Sequence, residues 1–181
     1  MEIIFGLAQY TLTFEKFTFM ETLPDFNQIE TLDFIWKLAA ATGSGILIGL
    51  ERELKGKSAG LNTNTLVAIG SAIFVLISMQ FAGVEYTDLT RTLGQVVTGV
   101  GFLGAGAILQ KENKGIIKGL TTAATIWCSA GVGCLAAVGM FKELAILTAW
   151  VVVFNLVFGF LDHRIGGILK PDDNDDDEGD D

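Results

Sequence analysis

Five long apolar stretches, at residues 32–50, 61–81, 93–109, 120–138 and 144–161, carry only two charged residues among them, Asp33 and Lys37 near the start of the first. Eighteen residues of α-helix rise about 27 Å, close to the roughly 30 Å of a bilayer's hydrocarbon core. Five such runs within 130 residues leave almost nothing to build the polar shell of a soluble bundle. The fold class they imply is all-α, a polytopic membrane helix bundle of about five transmembrane helices. Composition agrees: half of the 181 residues are apolar and the mean hydropathy is +0.49. Charge is segregated as well as sparse. The stretch from Pro171 to Asp181 holds eight of the 21 acidic residues and none of the 12 basic ones. The net charge of −9 is therefore mostly a property of the tail and no sign of an acidic binding face.

This gives three regions: a leader over 1–30, a transmembrane domain over 31–163, and an acidic tail over 164–181. The leader opens Met1-Glu2 and breaks its apolar residues with Thr, Glu and Lys. It lacks the basic start and continuous core of a secretory signal. Phe5, Tyr10, Phe14, Phe17 and Phe19 fit an interfacial segment, because aromatic rings collect at the membrane–water boundary. The tail is too densely charged to bury apolar area and is read as disordered, with weak divalent-cation binding through its carboxylates as its one candidate interaction. Basic residues in short loops set orientation. Arg52, Lys55, Lys57, Lys111, Lys114, Lys118, Arg164 and Lys170 fall on one side, against Lys16, Lys37, Arg91 and Lys142 on the other. The N-terminus is expected outside and the C-terminus in the cytoplasm.

The third run, GQVVTGVGFLGAGAILQ (Gly94 to Gln110), is crowded with Gly99, Gly101, Gly104 and Gly106. Each glycine costs about 1 kcal/mol relative to alanine in a water-exposed helix, so four together need a reason. Gly99 to Gly104 spell Gly-x-Gly-x-x-Gly, but the residues about 20 beyond Gly104 are Ala123, Ala124 and Thr125. The carboxylate that a dinucleotide site places there to hold the ribose is missing. The alternative is close packing of one membrane helix on another. The same role is expected of Gly45-x-x-x-Gly49 in the first run.

Cys128 and Cys134 lie six residues apart, turned to different sides of a helix, and read as buried thiols without a disulfide. With His163 the only histidine, a histidine–cysteine zinc site is excluded, and no cofactor is expected. His163 itself, between Asp162 and Arg164, reads as a boundary residue. No basic cluster is large enough for nucleic acid. There is no nucleophile–base pair and no phosphate-binding lysine loop, so nothing points to an enzyme.

Two constellations remain as candidate functional residues. Glu51-Arg52-Glu53 closes the first run, followed by Lys55 and Lys57. Carboxylates at a helix C-terminus are disfavoured by the dipole unless cations accompany them. This set reads either as a solvated boundary or as a carboxylate reaching into a cavity to hold a cation or proton. Asp88, Arg91, Gln95 and Thr98 recur every three or four residues and share one helix face. They form either an exposed ion pair at the boundary or a polar ladder leading into the glycine-rich run. Thr121 and Thr122 open the fourth run, Thr125 follows, and Asn155 interrupts the fifth. Most threonine hydroxyls should bond their own helix, and Asn155 should find a partner across the bundle. Asn62, Thr63, Asn64 and Thr65 can cap the second helix.

Three blocks, GILIGLERELKGKSAGLNTNTLVAIGSAIF (Gly45 to Phe74), DLTRTLGQVVTGVGFLGAGAIL (Asp88 to Leu109) and GIIKGLTTAATIWCSAGVGCLAAVG (Gly115 to Gly139), resemble the signature blocks of the MgtC/SapB family, in order. The resemblance covers about residues 32–161. It implies a bacterial inner-membrane protein of about five helices, associated with growth at low magnesium, acid stress and, in pathogens, survival inside macrophages. The motif positions it carries over are Glu51, Arg52, Glu53, Gly60, Thr63, Asp88, Arg91, Gln95, Gly99, Gly101, Gly104, Gly106, Gly119, Thr121 and Thr122. Many family members continue into a cytosolic ferredoxin-like domain. The chain is more similar to the short form, since about twenty residues follow the fifth run.

The function expected is that of a membrane protein that binds and regulates partner membrane proteins, and a bundle with so many glycine faces is expected to self-associate. Its rival is a transporter or channel for Mg²⁺, protons or another small ion. The rival would use Asp88, Glu51 and Glu53 near opposite ends, with Gln95, Thr98 and Thr121 between them.

Overall fold

A computed structural model describes residues 30–81, 88–111 and 116–166. The leader, most of the acidic tail and Lys114 lie outside the described residues. Five helices follow one another: α1 (Thr31–Leu54), α2 (Leu61–Gln80), α3 (Leu89–Ala107), α4 (Leu120–Ala137) and α5 (Phe141–Gly166). Between α3 and α4 the chain forms a short antiparallel hairpin, β1 (Leu109–Lys111) and β2 (Ile116–Lys118), with Gln110 opposite Ile117. The hairpin was not legible in the sequence, where Leu109 read as the end of a membrane span. The third helix instead occupies 89–107, because Asp88 caps it and the chain turns extended at Ile108.

Short connections make consecutive helices antiparallel neighbours. Gly45 lies against Thr65 and Gly49 against Leu61, so α1 and α2 run in opposite directions. The ends of α1, α3 and α5 and the starts of α2 and α4 therefore gather at one end of the bundle, beside the hairpin. Ser78, bonded to Thr92 at 2.9 Å, marks the far end.

The core is built from small residues. Ala41, Ala72, Val75, Leu76, Ala136, Ala137 and Leu144 form one buried cluster; Ile48, Ala68 and Val132 form a second; Val100, Ile126 and Ala130 form a third. Alanine offers little apolar area, so cohesion comes from backbones at close range and many small dispersion contacts. Gly45 shows the range: a Cβ there would sit 2.7 Å from the Thr65 Cα. A Cβ on Gly133 would strike the Ala68 carbonyl. The large side chains are on the outside. Trp36, Leu66, Phe102, Trp150 and Phe160 are all more than 60 % exposed, a surface that water would not tolerate and lipid covers.

Among the described residues, four helices are long and apolar enough to cross a membrane: α1, α2, α4 and α5 as far as Phe160. The 19-residue α3 has the length but not the hydropathy, diluted by its glycines and Arg91. Within the bundle α4 is the most enclosed of the four and α5 the most peripheral.

Candidate functional site

At the hairpin end, the last turn of α1, the α1–α2 loop, the start of α4 and the outer part of α5 enclose a cavity of about 730 Å³. Its walls carry Arg52, Lys55, Lys57 and Lys118 against a single carboxylate, Glu51. Arg52 and Glu51 are the deepest, only 3 % and 8 % exposed. They are adjacent on a helix whose buried face repeats as Ala41, Ser44, Gly45, Ile48, Gly49 and Arg52, so burial follows from the helical period.

Burying charge costs several kcal/mol unless each group is partnered. The Arg52 guanidinium donates through one nitrogen to the Ser58 carbonyl at 3.0 Å and to the Thr122 hydroxyl. Ser58 and Thr122 hydroxyls lie 3.2 Å apart, tying the α1–α2 loop to α4. Lys55 bridges Glu51 at 2.8 Å and donates to the Asn155 carbonyl of α5, also at 2.8 Å. Three polar atoms of these residues, Glu51 Oε2, Arg52 Nε and Asn155 Nδ2, are sealed from solvent with no hydrogen-bond partner among the described residues, each at a cost of about 1–3 kcal/mol.

The entrance to α4 has a specific backbone. Gly119 is its N-cap with φ +95°, a left-handed conformation, and a Cβ there would strike the Ala107 carbonyl at the end of α3. Glycine thus lets the chain leave the hairpin and enter α4 while α3 stays in contact. It also supplies no capping side chain. The first amide groups of α4 have no intrahelical partner and lie beside the cavity, with Thr121 and Thr122 on its wall.

The other candidate residues fall elsewhere. Glu53 is exposed and accepts the Leu61 amide at 3.1 Å, capping α2 from across the loop. It is Glu53, then, and not the polar run Asn62–Thr65, that holds the start of α2. Asn64 turns away from the helix's free amides. Its Nδ2 donates to the Ala59 and Gly60 carbonyls, and its Oδ1 accepts from Ser129 of α4 at 2.8 Å. This fully buried pair was not legible in sequence, since nothing local links residues 65 apart. Asn155 joins α1 through its carbonyl rather than its amide side chain. Thr125 bonds the Thr121 carbonyl at 2.8 Å, within its own helix. Cys128 and Cys134 are both free. His163 lies in α5, and its side chain is outside the described residues.

Asp88, Arg91, Gln95 and Thr98 do share a face, but it is the outer face of α3, and all four are exposed. Asp88 accepts from Thr90 N and Oγ1 at 2.9 and 2.7 Å and makes no ion pair with Arg91 among the described residues. The two Thr90 bonds, the side-chain one foremost, hold the Asp88 carboxyl below its ordinary pKa. Thr98 returns its hydroxyl to the Gly94 carbonyl. The packing glycines divide in the same way. Gly45 and Gly49 meet α2 closely, and Gly104 meets Ala123 at ordinary contact distance. Gly99, Gly101 and Gly106 face open space, so the expectation that they pack on another helix finds no contact among the described residues.

A helical bundle with an apolar outside, a small-residue core and its charge collected at the helix ends defines a multi-pass membrane protein. The chain belongs to the MgtC family, whose model matches residues 38–164. It is similar to Protein MgtC of Brucella abortus (strain 2308), with 42 % identity over 129 residues, covering 67 % of this chain and 52 % of that protein. It is equally similar to Protein MgtC of Salmonella typhimurium (strain LT2), with 42 % identity over 132 residues, 73 % of this chain and 55 % of that one. The chain spans about half the length of these relatives. No solved structure matches.

Proposed function

We propose that this protein is an MgtC-type regulator of the inner membrane that acts by binding a helix of a partner membrane protein along α3, with its N-terminus outside and its C-terminus in the cytoplasm. The observation that carries the reading is the outer face of α3. Gln95 lies about 9 Å along the helix from its start, exposed, with no hydrogen-bond partner among the described residues. An amide at that depth needs a donor or acceptor that lipid tails do not offer. Beside it, Leu66, Gly70, Phe74, Gly99 and Leu103 line an apolar groove of about 510 Å³ between α2 and α3. Gly99 of α3 and Gly70 of α2 leave room for a second backbone in that groove, and Gln95 supplies the polar contact that orients it. Ion transport draws no support from this arrangement. The ladder that would carry the ion faces outward, and Glu53 is engaged in capping α2.

A photoreactive residue placed at Leu103, on the wall of that groove, tests the reading in native-type membranes. Adducts at 103 that weaken with Gln95→Leu are expected, with few at Trp150, exposed on α5. The adduct's mass distinguishes a second copy from another protein. Lipid-only adducts at 103 would overturn the proposal.

A further inference from the structure

The outer face of α3 is complementary to itself. Gln95, Gly99, Phe102 and Gly106 recur at spacings of four, three and four, so they form one stripe along the helix, and all four are exposed. Phe102 is 81 % exposed, more than any other large apolar side chain among the described residues. One turn to either side of it, Gly99 and Gly106 have nothing within 4 Å of where a Cβ would stand. A knob between two notches at this spacing fits a second identical helix lying parallel and in register, because each knob then meets the other's notch. Gln95 matches itself in the same way. Its amide carries both donors and an acceptor, and the amide of an identical helix at the same depth answers both.

The charges are complementary too. Asp88 and Arg91 stand one turn apart at the outer end of the stripe and make no ion pair with each other among the described residues. In a parallel pair, the residue three places on in the second helix lies diagonally opposite, which sets each carboxylate beside the other copy's guanidinium. Two copies also carry the same basic loops and so enter the membrane the same way up. Their α3 helices are then parallel, with like residues at like depth, a relation that an unrelated partner does not guarantee.

We propose that the partner seated along α3 is a second copy of this chain, paired about a two-fold axis normal to the membrane. The pairing rests on the reading of α3 as a docking helix given above. Phe102 of each copy fills the notch between Gly99 and Gly106 of the other, and the two Gln95 amides bond across the axis.

Disulfide trapping in native-type membranes tests the pairing. In the full-length chain with Cys128 and Cys134 replaced by alanine, Thr98→Cys stands beside the stripe, while Val97→Cys is exposed on a different side of α3. Two thiols bridge only where their Cα atoms come within about 7 Å. Mild oxidation is expected to link two chains at 98 and few at 97. Gly99→Leu places its side chain in space that is open within the chain, so the bundle still forms, which an undiminished yield of membrane-inserted protein verifies. By filling the notch it should reduce linkage at 98 about tenfold. A charge swap adds a readout that packing alone would not move. Differently tagged copies, one with Asp88→Arg and the other with Arg91→Asp, should capture each other over themselves by about two- to fivefold per ion pair. Glu85, in the preceding loop outside the described residues, is common to every pairing compared and cannot produce that preference. No linkage at 98, equal linkage at 97, an unaffected Gly99→Leu or indifferent swapped copies would overturn the second copy as occupant. If the Leu103 photoadducts then weigh as a different protein, docking along α3 stands and only its occupant is wrong, whereas lipid-only adducts remove both.

Discussion

At the scale of single residues, the arrangement depends on how Arg52 is held. Two of its bonds leave through one nitrogen, to Ser58 and Thr122, and Thr122 is the only one of these partners on another helix. Thr122→Val keeps the shape but removes the acceptor, leaving a charged donor short of a partner. We expect a loss of about 1–3 kcal/mol, read as a lower unfolding midpoint in detergent, with Thr122→Ser close to wild type. Equal midpoints for valine and threonine would mean that Arg52 is held by Ser58 alone. Asp88 gives a pH-dependent signature at the opposite end of the bundle. Its folded pKa lies below the ordinary carboxyl value because Thr90 donates to the ionised form. A depressed folded pKa means folding favours the charged state. That contribution is complete above the unfolded pKa and vanishes as pH falls through the folded one. Asp88→Asn should therefore differ most from wild type at neutral pH and converge with it in acid, measured as midpoint against pH.

At the scale of elements, the glycines sort the helices into those that touch within the chain and those left free. α2 and α4 meet so closely at Gly133 that a methyl group must push the Ala68 carbonyl away. Gly133→Ala should destabilise the bundle by about 1–3 kcal/mol, seen in thermal melts of the purified protein. Gly101→Ala adds a methyl group to open space and removes a glycine from a helix, so the same melt should be unchanged or slightly raised. If both variants melted alike, contact between backbones would not be what holds α2 to α4. The hairpin matters for a different reason. By returning the chain through Gly119 it brings the uncapped start of α4 beside the end of α1, and so forms one wall of the basic cavity.

For the whole molecule, the order of helices places Lys57 at the hairpin end and Lys142 at the far end. In a chain with Cys128 and Cys134 replaced by alanine, Lys57→Cys should label only after the membrane is permeabilised, and Lys142→Cys from outside intact cells. The reverse pattern would invert the proposed orientation. Much of this architecture was legible beforehand, because an uncharged run long enough to cross a bilayer has few ways to satisfy its backbone other than as a helix. The number of helices, their approximate limits and the gathering of basic residues at one end follow from such local patterns. Which glycines would be in contact did not follow, since a small residue has the same letter whether it faces a helix or lipid. Nor could the sequence show that Glu53 caps α2, that Asn64 reaches Ser129, or that Asp88 to Thr98 face outward. Those depend on which side of each helix meets its neighbours, a choice made by all the contacts at once. The sequence alone thus determined that this protein lives in the membrane and where its helices run, because burial in lipid is a demand on each segment separately. Tertiary structure alone decided that Arg52, Lys55, Lys57, Lys118 and the start of α4 surround one cavity, because proximity between distant segments is a property of the packed whole.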